Sequence, residues 1–142
     1  MVAERAGFRI IRVLATKAVS RIPLGALAPF LPAGIGMPTL HGDTLRAVAD
    51  AIVGDDDRRL LMSDDAHLLD DASATVIQQI AVLNRASLVL TTRSGVASPE
   101  PLMSLWKDSI VERIELEPID PDRGGPAAER GAGRPDRRGV PP

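Results

Sequence analysis

The chain has 142 residues, a formal net charge of −2 and no cysteine. This length suits one domain with its own core, and the absence of cysteine excludes disulfides and thiolate metal sites. The charge gives no general basic field for nucleic acid, and no apolar run approaches the roughly 20 residues that span a membrane. We therefore expect a cytoplasmic protein with an aliphatic core, no direct DNA binding and no membrane segment.

Apolar patterns predict strands that alternate with helices along the chain. In chain order we predict a strand over 8–15, at most a short helix within 22–32, a loop over 34–38, a helix over 44–53, a strand over 59–63, a helix over 73–84, a strand over 87–92, a short helix over 99–106 and a strand over 110–117. This alternation predicts an α/β fold with a parallel sheet and helices on both of its faces.

The composition changes near residue 120. Residues 121–142 hold five glycines, five prolines and five arginines, and Val140 is their only large aliphatic residue. Such a segment buries too little apolar surface to offset its ordering entropy. We therefore predict a domain over 1–119 and a disordered Gly/Pro/Arg-rich tail over 120–142.

Two adjacent acids, Asp64 and Asp65, end the apolar run that starts after Arg59. Carboxylates at the carboxyl end of a buried parallel strand lie at the sheet edge where open α/β folds bind ligands. Mg²⁺ takes oxygen ligands, and one or two carboxylates commonly hold it beside nucleotide phosphates. A strand followed by two acids is what a Walker B element requires, although the motif is short.

Simpler interpretations of these residues stay open. Acids after a strand also occur in solvated loops and as helix caps, and Asp70 and Asp71 fit a capping role before the predicted helix over 73–84. His67 alone suits packing better than metal ligation. A phosphoacceptor receiver domain is disfavoured, because its paired acids follow the first strand and no strand after Asp65 ends in aspartate.

Several stretches, taken in this order and spacing, resemble one family. They are residues 8–18, 22–29, 60–74, 88–95 and 105–119. Together they are similar to the nucleotide-binding domains of large LuxR-type bacterial transcriptional regulators, which are AAA-like signal-transducing (STAND) P-loop ATPases. The resemblance covers about residues 5–119. It implies an ATP-binding fold with Mg²⁺ as cofactor.

The resemblance also implies roles for three side chains. Asp64 would hold Mg²⁺, in part through water, and Asp65 would orient the attacking water. Arg93, at the end of the next strand, would be the sensor that contacts the γ-phosphate. These roles suit the residue types, because a carboxylate binds a metal ion and a guanidinium forks onto phosphate oxygens.

One expected motif is missing. The family carries a phosphate loop, Gly-x-x-x-x-Gly-Lys-Ser/Thr, which would lie upstream of residue 1, and no such motif occurs in these 142 residues. Its strand would sit between the strands predicted over 87–92 and 110–117, so the predicted sheet is incomplete and exposes two edges. We expect part of an ATPase domain that does not bind or hydrolyse ATP alone. The alternative is a non-enzymatic interaction module that pairs through these edges with a related domain or with itself.

Overall fold

A computed structural model describes residues 2–33, 41–55 and 58–122. The chain divides into two compact units, Met1–Glu112 and Arg113–Pro142, and each is described by itself. The predicted loop over 34–38 and the predicted tail from residue 123 onward lie outside the described residues.

The first unit contains three strands, four α-helices and two short 3-10 helices within its described part. They are α1 (Val2–Arg5), β1 (Arg9–Leu14), a 3-10 helix (Gly25–Phe30), α2 (Gly42–Val53), β2 (Arg59–Asp64), a 3-10 helix (Ala66–Leu68), α3 (Asp71–Val82), β3 (Ser87–Leu90) and α4 (Glu100–Lys107). Within the described ranges, no helix combines the length and the apolar character that crossing a bilayer requires.

The three strands form one open, all-parallel sheet in the order β1-β2-β3. Leu14 pairs with Asp64, and Ser63 pairs with Leu90, so the carboxyl ends of neighbouring strands meet at one edge of the sheet. The predicted mixed α/β fold with a parallel sheet is confirmed. Parallel neighbours need crossover connections, and α2 and α3 lie in the two crossovers.

The two faces of the sheet differ in burial. On one face the β1 and β2 side chains are buried, among them Ile11, Val13 and Leu61. On the opposite face, here called the second face, Leu14 is 74% exposed and Val89 is 47% exposed. Right-handed crossovers between strands in sequential order place both connections on the same face. The described part of the chain therefore shows one well-buried face, whereas we predicted helices on both.

Helix α3 lies between α2 and α4 at the centre of the core. Six of its residues are buried: Ser73, Ala74, Val76, Ile77, Ile80 and Ala81. An ion pair between Arg85 and Asp50 joins the residues after α3 to α2, and Arg85 also donates to the Gly54 carbonyl at 3.3 Å. Apolar contact thus packs α2 against α3, and a partly exposed ion pair lies at the end of this interface.

Gly54 ends α2 in a conformation that favours glycine. Its φ is +57° and its ψ is −154°, and its N–H donates to the Asp50 carbonyl at 2.9 Å. A Cβ here would lie 2.9 Å from Nη2 of Arg59, the first residue of β2. Both the backbone angle and the neighbouring side chain therefore disfavour any other residue at this turn.

The predicted strand over 110–117 does not form. The Ile110 and Val111 amides both donate to the Leu105 carbonyl at the end of α4. Residues 113–122 contain no helix or strand, and Ile114 and Leu116 are 74% and 83% exposed. An alternating pattern becomes a strand only beside another strand that supplies hydrogen-bond partners, and no pairing for these residues is present within the described chain.

Candidate functional site

Asp64 is the last residue of the middle strand, and its side chain is exposed at the carboxyl edge of the sheet. The Thr91 hydroxyl, just beyond β3, donates to Asp64 Oδ1 at 3.3 Å. The sheet continues to this point, because the Thr91 N–H donates to the Ser63 carbonyl at 3.0 Å. The structure therefore places Asp64 at the carboxyl edge of a parallel sheet, the edge at which open α/β folds bind ligands.

Asp65 leaves the strand in a left-handed conformation, with φ 52° and ψ 42°. Its N–H donates to the Thr91 hydroxyl oxygen at 3.1 Å. A residue that continued the strand would place its side chain on the opposite face from Asp64, which here is the buried face. The turn instead leaves the Asp65 side chain 42% exposed. Aspartate is one of the non-glycine residues that adopt this conformation most readily.

Arg93 contacts one of the two acids. Its Nε lies 3.5 Å from Asp65 Oδ1, and the two side chains are 71% and 42% exposed. An exposed pair of this kind contributes at most about 1 kcal/mol to stability. The structure thus brings Asp64, Asp65 and Arg93 to the same sheet edge, and it pairs Arg93 with a neighbouring acid.

Thr91 is a residue that sequence reasoning missed. Its hydroxyl contacts both acids, and its carbonyl accepts from the Ala66 N–H at 2.7 Å. These contacts hold the loop after β2 against the end of β3. The register between β2 and β3 identifies Thr91. Because Ser63 pairs with Leu90, the residue that follows Leu90 must lie beside Asp64.

The second acidic pair has a structural role. Asp70 is buried and caps α3: its Oδ1 accepts from the Ser73 N–H at 2.9 Å and its Oδ2 from the Ser73 hydroxyl at 2.6 Å. Oδ1 also accepts from the Leu24 N–H at 2.9 Å, across 46 residues of sequence. Asp71 is exposed in the first turn of the helix. The predicted capping role is confirmed for Asp70.

Two polar atoms near the acids are buried without a hydrogen-bond partner in the described part of the chain. They are the Ser63 hydroxyl and His67 Nδ1. Ser63 is 2% exposed on the buried face of β2, directly before Asp64. A buried hydroxyl without a partner costs free energy, since it has lost its hydrogen bonds to water.

We expect Ser63→Ala to raise the free energy of unfolding by about 1 kcal/mol, because alanine removes the unpaired hydroxyl and leaves the chain's contacts in place. Urea unfolding followed by circular dichroism measures the change. Ser73→Ala is the matched control, as the Ser73 hydroxyl is also buried but donates to Asp70. That variant should lose about 1–2 kcal/mol. A Ser63→Ala variant less stable than the parent would contradict the assignment.

One concavity of the described chain does not coincide with the acids. An open pocket of about 360 Å³ lies between α2 and α3 and is lined by Arg46, Gln78, Gln79, Val82 and Leu83. No carboxylate lines it. A concave apolar pocket is usually the first candidate for a ligand site. Here the charged groups that can do chemistry lie instead at the sheet edge, so we assign the candidate site there.

The acids at the edge do not form a complete metal cage. Within the described residues, no group of three or more histidine, cysteine, aspartate or glutamate side chains could hold a metal ion together. Mg²⁺ often needs less than this, since water and substrate phosphates complete its coordination. Comparisons with protein-family models, with curated proteins and with solved structures found no match.

Proposed function

We propose that the chain is part of an ATP-binding domain of the P-loop type that resembles those of LuxR-type regulators. In this proposal it carries the Mg²⁺-facing and phosphate-sensing side chains and neither binds ATP tightly nor hydrolyses it alone. The observation that supports it is the meeting of Asp64, Asp65 and Arg93 at the carboxyl edge of adjacent parallel strands. Any role in transcription rests on the resemblance alone.

Asp64 fits Mg²⁺ by the chemistry of its surroundings. The carboxylate is exposed, and the Thr91 hydroxyl oxygen lies 3.3 Å from it. Both are hard oxygen donors, which Mg²⁺ prefers to nitrogen or sulfur. When bound, the ion would neutralise charge on the phosphate oxygens of ATP. The protein's part is to hold the Asp64 carboxylate at the edge through the strand and the threonine contact.

Asp65 and Arg93 would act on different groups, Asp65 on water and Arg93 on phosphate. The Asp65 carboxylate can accept a proton or a hydrogen bond from water, and the Arg93 guanidinium can donate to phosphate oxygens. In the described structure the two groups contact each other. A phosphate at this edge would compete with Asp65 for Arg93, because both are anions that the same guanidinium binds.

Tight ATP binding lacks its main support in this chain. The sequence contains no Gly-x-x-x-x-Gly-Lys-Ser/Thr motif, whose backbone amides and lysine hold the β- and γ-phosphates. The N-terminus of α3, which follows β2, is already capped by the Asp70 carboxylate. An anion at that helix end would meet a negative charge and an amide that is already bonded.

We expect the full chain to hydrolyse radiolabelled ATP no faster than buffer alone does.

Mn²⁺, used as a paramagnetic substitute for Mg²⁺, should bind weakly and broaden the backbone amide resonances of Asp64, Asp65 and Thr91. Asp64→Asn removes one negative charge with little change in shape, so it should reduce this broadening at least about fivefold. Asp71→Asn is the matched control and should leave it unchanged.

Two results would overturn the proposal. Hydrolysis that Asp64→Ala abolishes would show that the chain is an active enzyme without a phosphate loop. Broadening that Asp64→Asn leaves in place would remove Asp64 from any metal site. The two measurements test the catalytic and the metal-binding parts of the proposal separately.

A further inference from the structure

We infer that the open edge of β3 pairs in an antiparallel manner with the same edge of a second copy of the chain. The two three-stranded sheets would then form one six-stranded sheet. This interaction needs no nucleotide and goes beyond the proposed ATP-related function. It rests on the backbone directions of β3 and on its side chains.

The β3 edge lacks the charged and proline residues that usually protect an edge strand, and its short length is its main protection. Within the described residues β3 pairs with β2 only. Its four residues, Ser87–Leu90, include no charged side chain and no proline. Natural sheets usually protect their edge strands with lysine, proline, a bulge or a covering element, because an unprotected edge offers hydrogen-bonding groups to other strands.

The hydrogen bonds to β2 determine which backbone groups face outward. The Thr91 N–H donates to Ser63 at 3.0 Å and the Thr91 carbonyl accepts from Ala66 at 2.7 Å, so Thr91 faces β2. Backbone direction alternates along a strand, so Val89 also faces β2 while Leu88 and Leu90 face the open edge. Pairing Leu88 with Leu90 of the second copy, and Leu90 with Leu88, gives four hydrogen bonds about a two-fold axis at Val89.

The side chains match in this register. Paired residues in an antiparallel ladder lie on the same face. Leu88 and Leu90 already pack against the core, so the pair would extend the buried face across the junction. On the second face, each Val89 would lie opposite its copy, and its 47% exposed surface would be covered. The same patch thus serves both subunits, as a two-fold interface requires.

The charges flanking β3 are compatible with this arrangement. Continued beyond the ends of β3, the same register would bring Arg85 towards Arg93 of the second copy. Arg85 is paired with Asp50, and Arg93 contacts Asp65, so each cation lies beside an acid of its own chain. The contact is short, and interfaces much smaller than about 1,000 Å² are weak. We expect a dissociation constant on the order of 10–100 µM.

Sedimentation velocity of the full chain over roughly 5–500 µM tests this inference, because that range spans the expected constant. The parent should shift from monomer to dimer as concentration rises. Val89→Lys places two like charges opposite each other at the axis and should weaken dimerisation at least tenfold. An equimolar mixture of Val89→Lys and Val89→Glu should restore a dimer, since the opposed charges then attract.

Leu14→Lys is the matched control. Leu14 is an exposed aliphatic residue on the second face, but it lies on β1 at the other side of the sheet. This variant should dimerise like the parent. In amide exchange, Leu88 and Leu90 should become more protected as concentration rises, whereas Val89 should not change. A parent that stays monomeric, a dimer unaffected by Val89→Lys, or equal losses in the two lysine variants would each overturn the inference.

Discussion

Replacing Asp70 by alanine is expected to lower the free energy of unfolding by about 2–4 kcal/mol. The carboxylate is 6% exposed and accepts from the Ser73 amide, the Ser73 hydroxyl and the Leu24 amide. Alanine removes the cap of α3 and also leaves a buried amide on Leu24 without its partner. Leu24 has a positive φ of 59°, so it depends on such a contact to hold its turn.

Thermal and urea unfolding measure this loss, and a melting temperature lower by on the order of 10 °C is expected. Asp71→Ala is the matched control: its side chain is exposed in the first turn of α3. It should change stability by less than about 0.5 kcal/mol. Asp70→Asn keeps the oxygen that accepts both amides, and should lose less than half as much as alanine. Equal effects at positions 70 and 71 would contradict the cap.

Leu61→Ala is expected to destabilise the first unit by about 3–5 kcal/mol. Leu61 is fully buried in the middle strand and pairs with Ile11 on one side and Leu88 on the other. Three strands and the helices over them surround the side chain, so the structure cannot collapse easily into the space that alanine leaves. Urea unfolding with an unchanged m-value would assign the effect to stability alone.

Leu14→Ala serves as the comparison for this cavity. Leu14 is an aliphatic residue in a neighbouring strand, but it is 74% exposed. Its loss should cost less than about 0.5 kcal/mol. Leu61→Met nearly conserves volume and should cost less than about 1.5 kcal/mol. If Leu61→Ala cost no more than Leu14→Ala, the buried face of the sheet would be assigned wrongly.

The local pattern was enough to predict the three observed strands and the helices α2, α3 and α4. It failed for the segment over 110–117, in which polar and apolar residues alternate strictly only from Arg113 to Glu117. A further reason lies outside the segment, because a strand also needs a neighbour. Continuous apolar runs such as Leu60–Met62 likewise suggested burial on both faces, yet Leu60 and Met62 are only partly buried.

The two acids were predicted at the sheet edge because they follow a strand, whereas Arg93 was singled out only by the resemblance; the structure places all three at the carboxyl ends of neighbouring parallel strands. Thr91 was missed, since its contact with Asp64 and Asp65 depends on the register between β2 and β3. The bond from Leu24 to Asp70 spans 46 residues and follows from packing alone. The sequence alone identified the charged residues. The tertiary structure then showed which of them, such as Asp70, form the contacts that stabilise the fold.

The left-handed turn at Asp65 restricts which residues the backbone accepts at this position, and this restriction does not depend on the carboxylate. Glycine and asparagine adopt such a turn as easily as aspartate or more easily, and neither carries a carboxylate. Replacing Asp65 by glycine or asparagine should therefore leave folding unharmed. Valine or isoleucine should destabilise the turn, because β-branched residues rarely adopt a left-handed conformation. In related sequences, a change from aspartate to glycine here would keep the turn and remove the carboxylate.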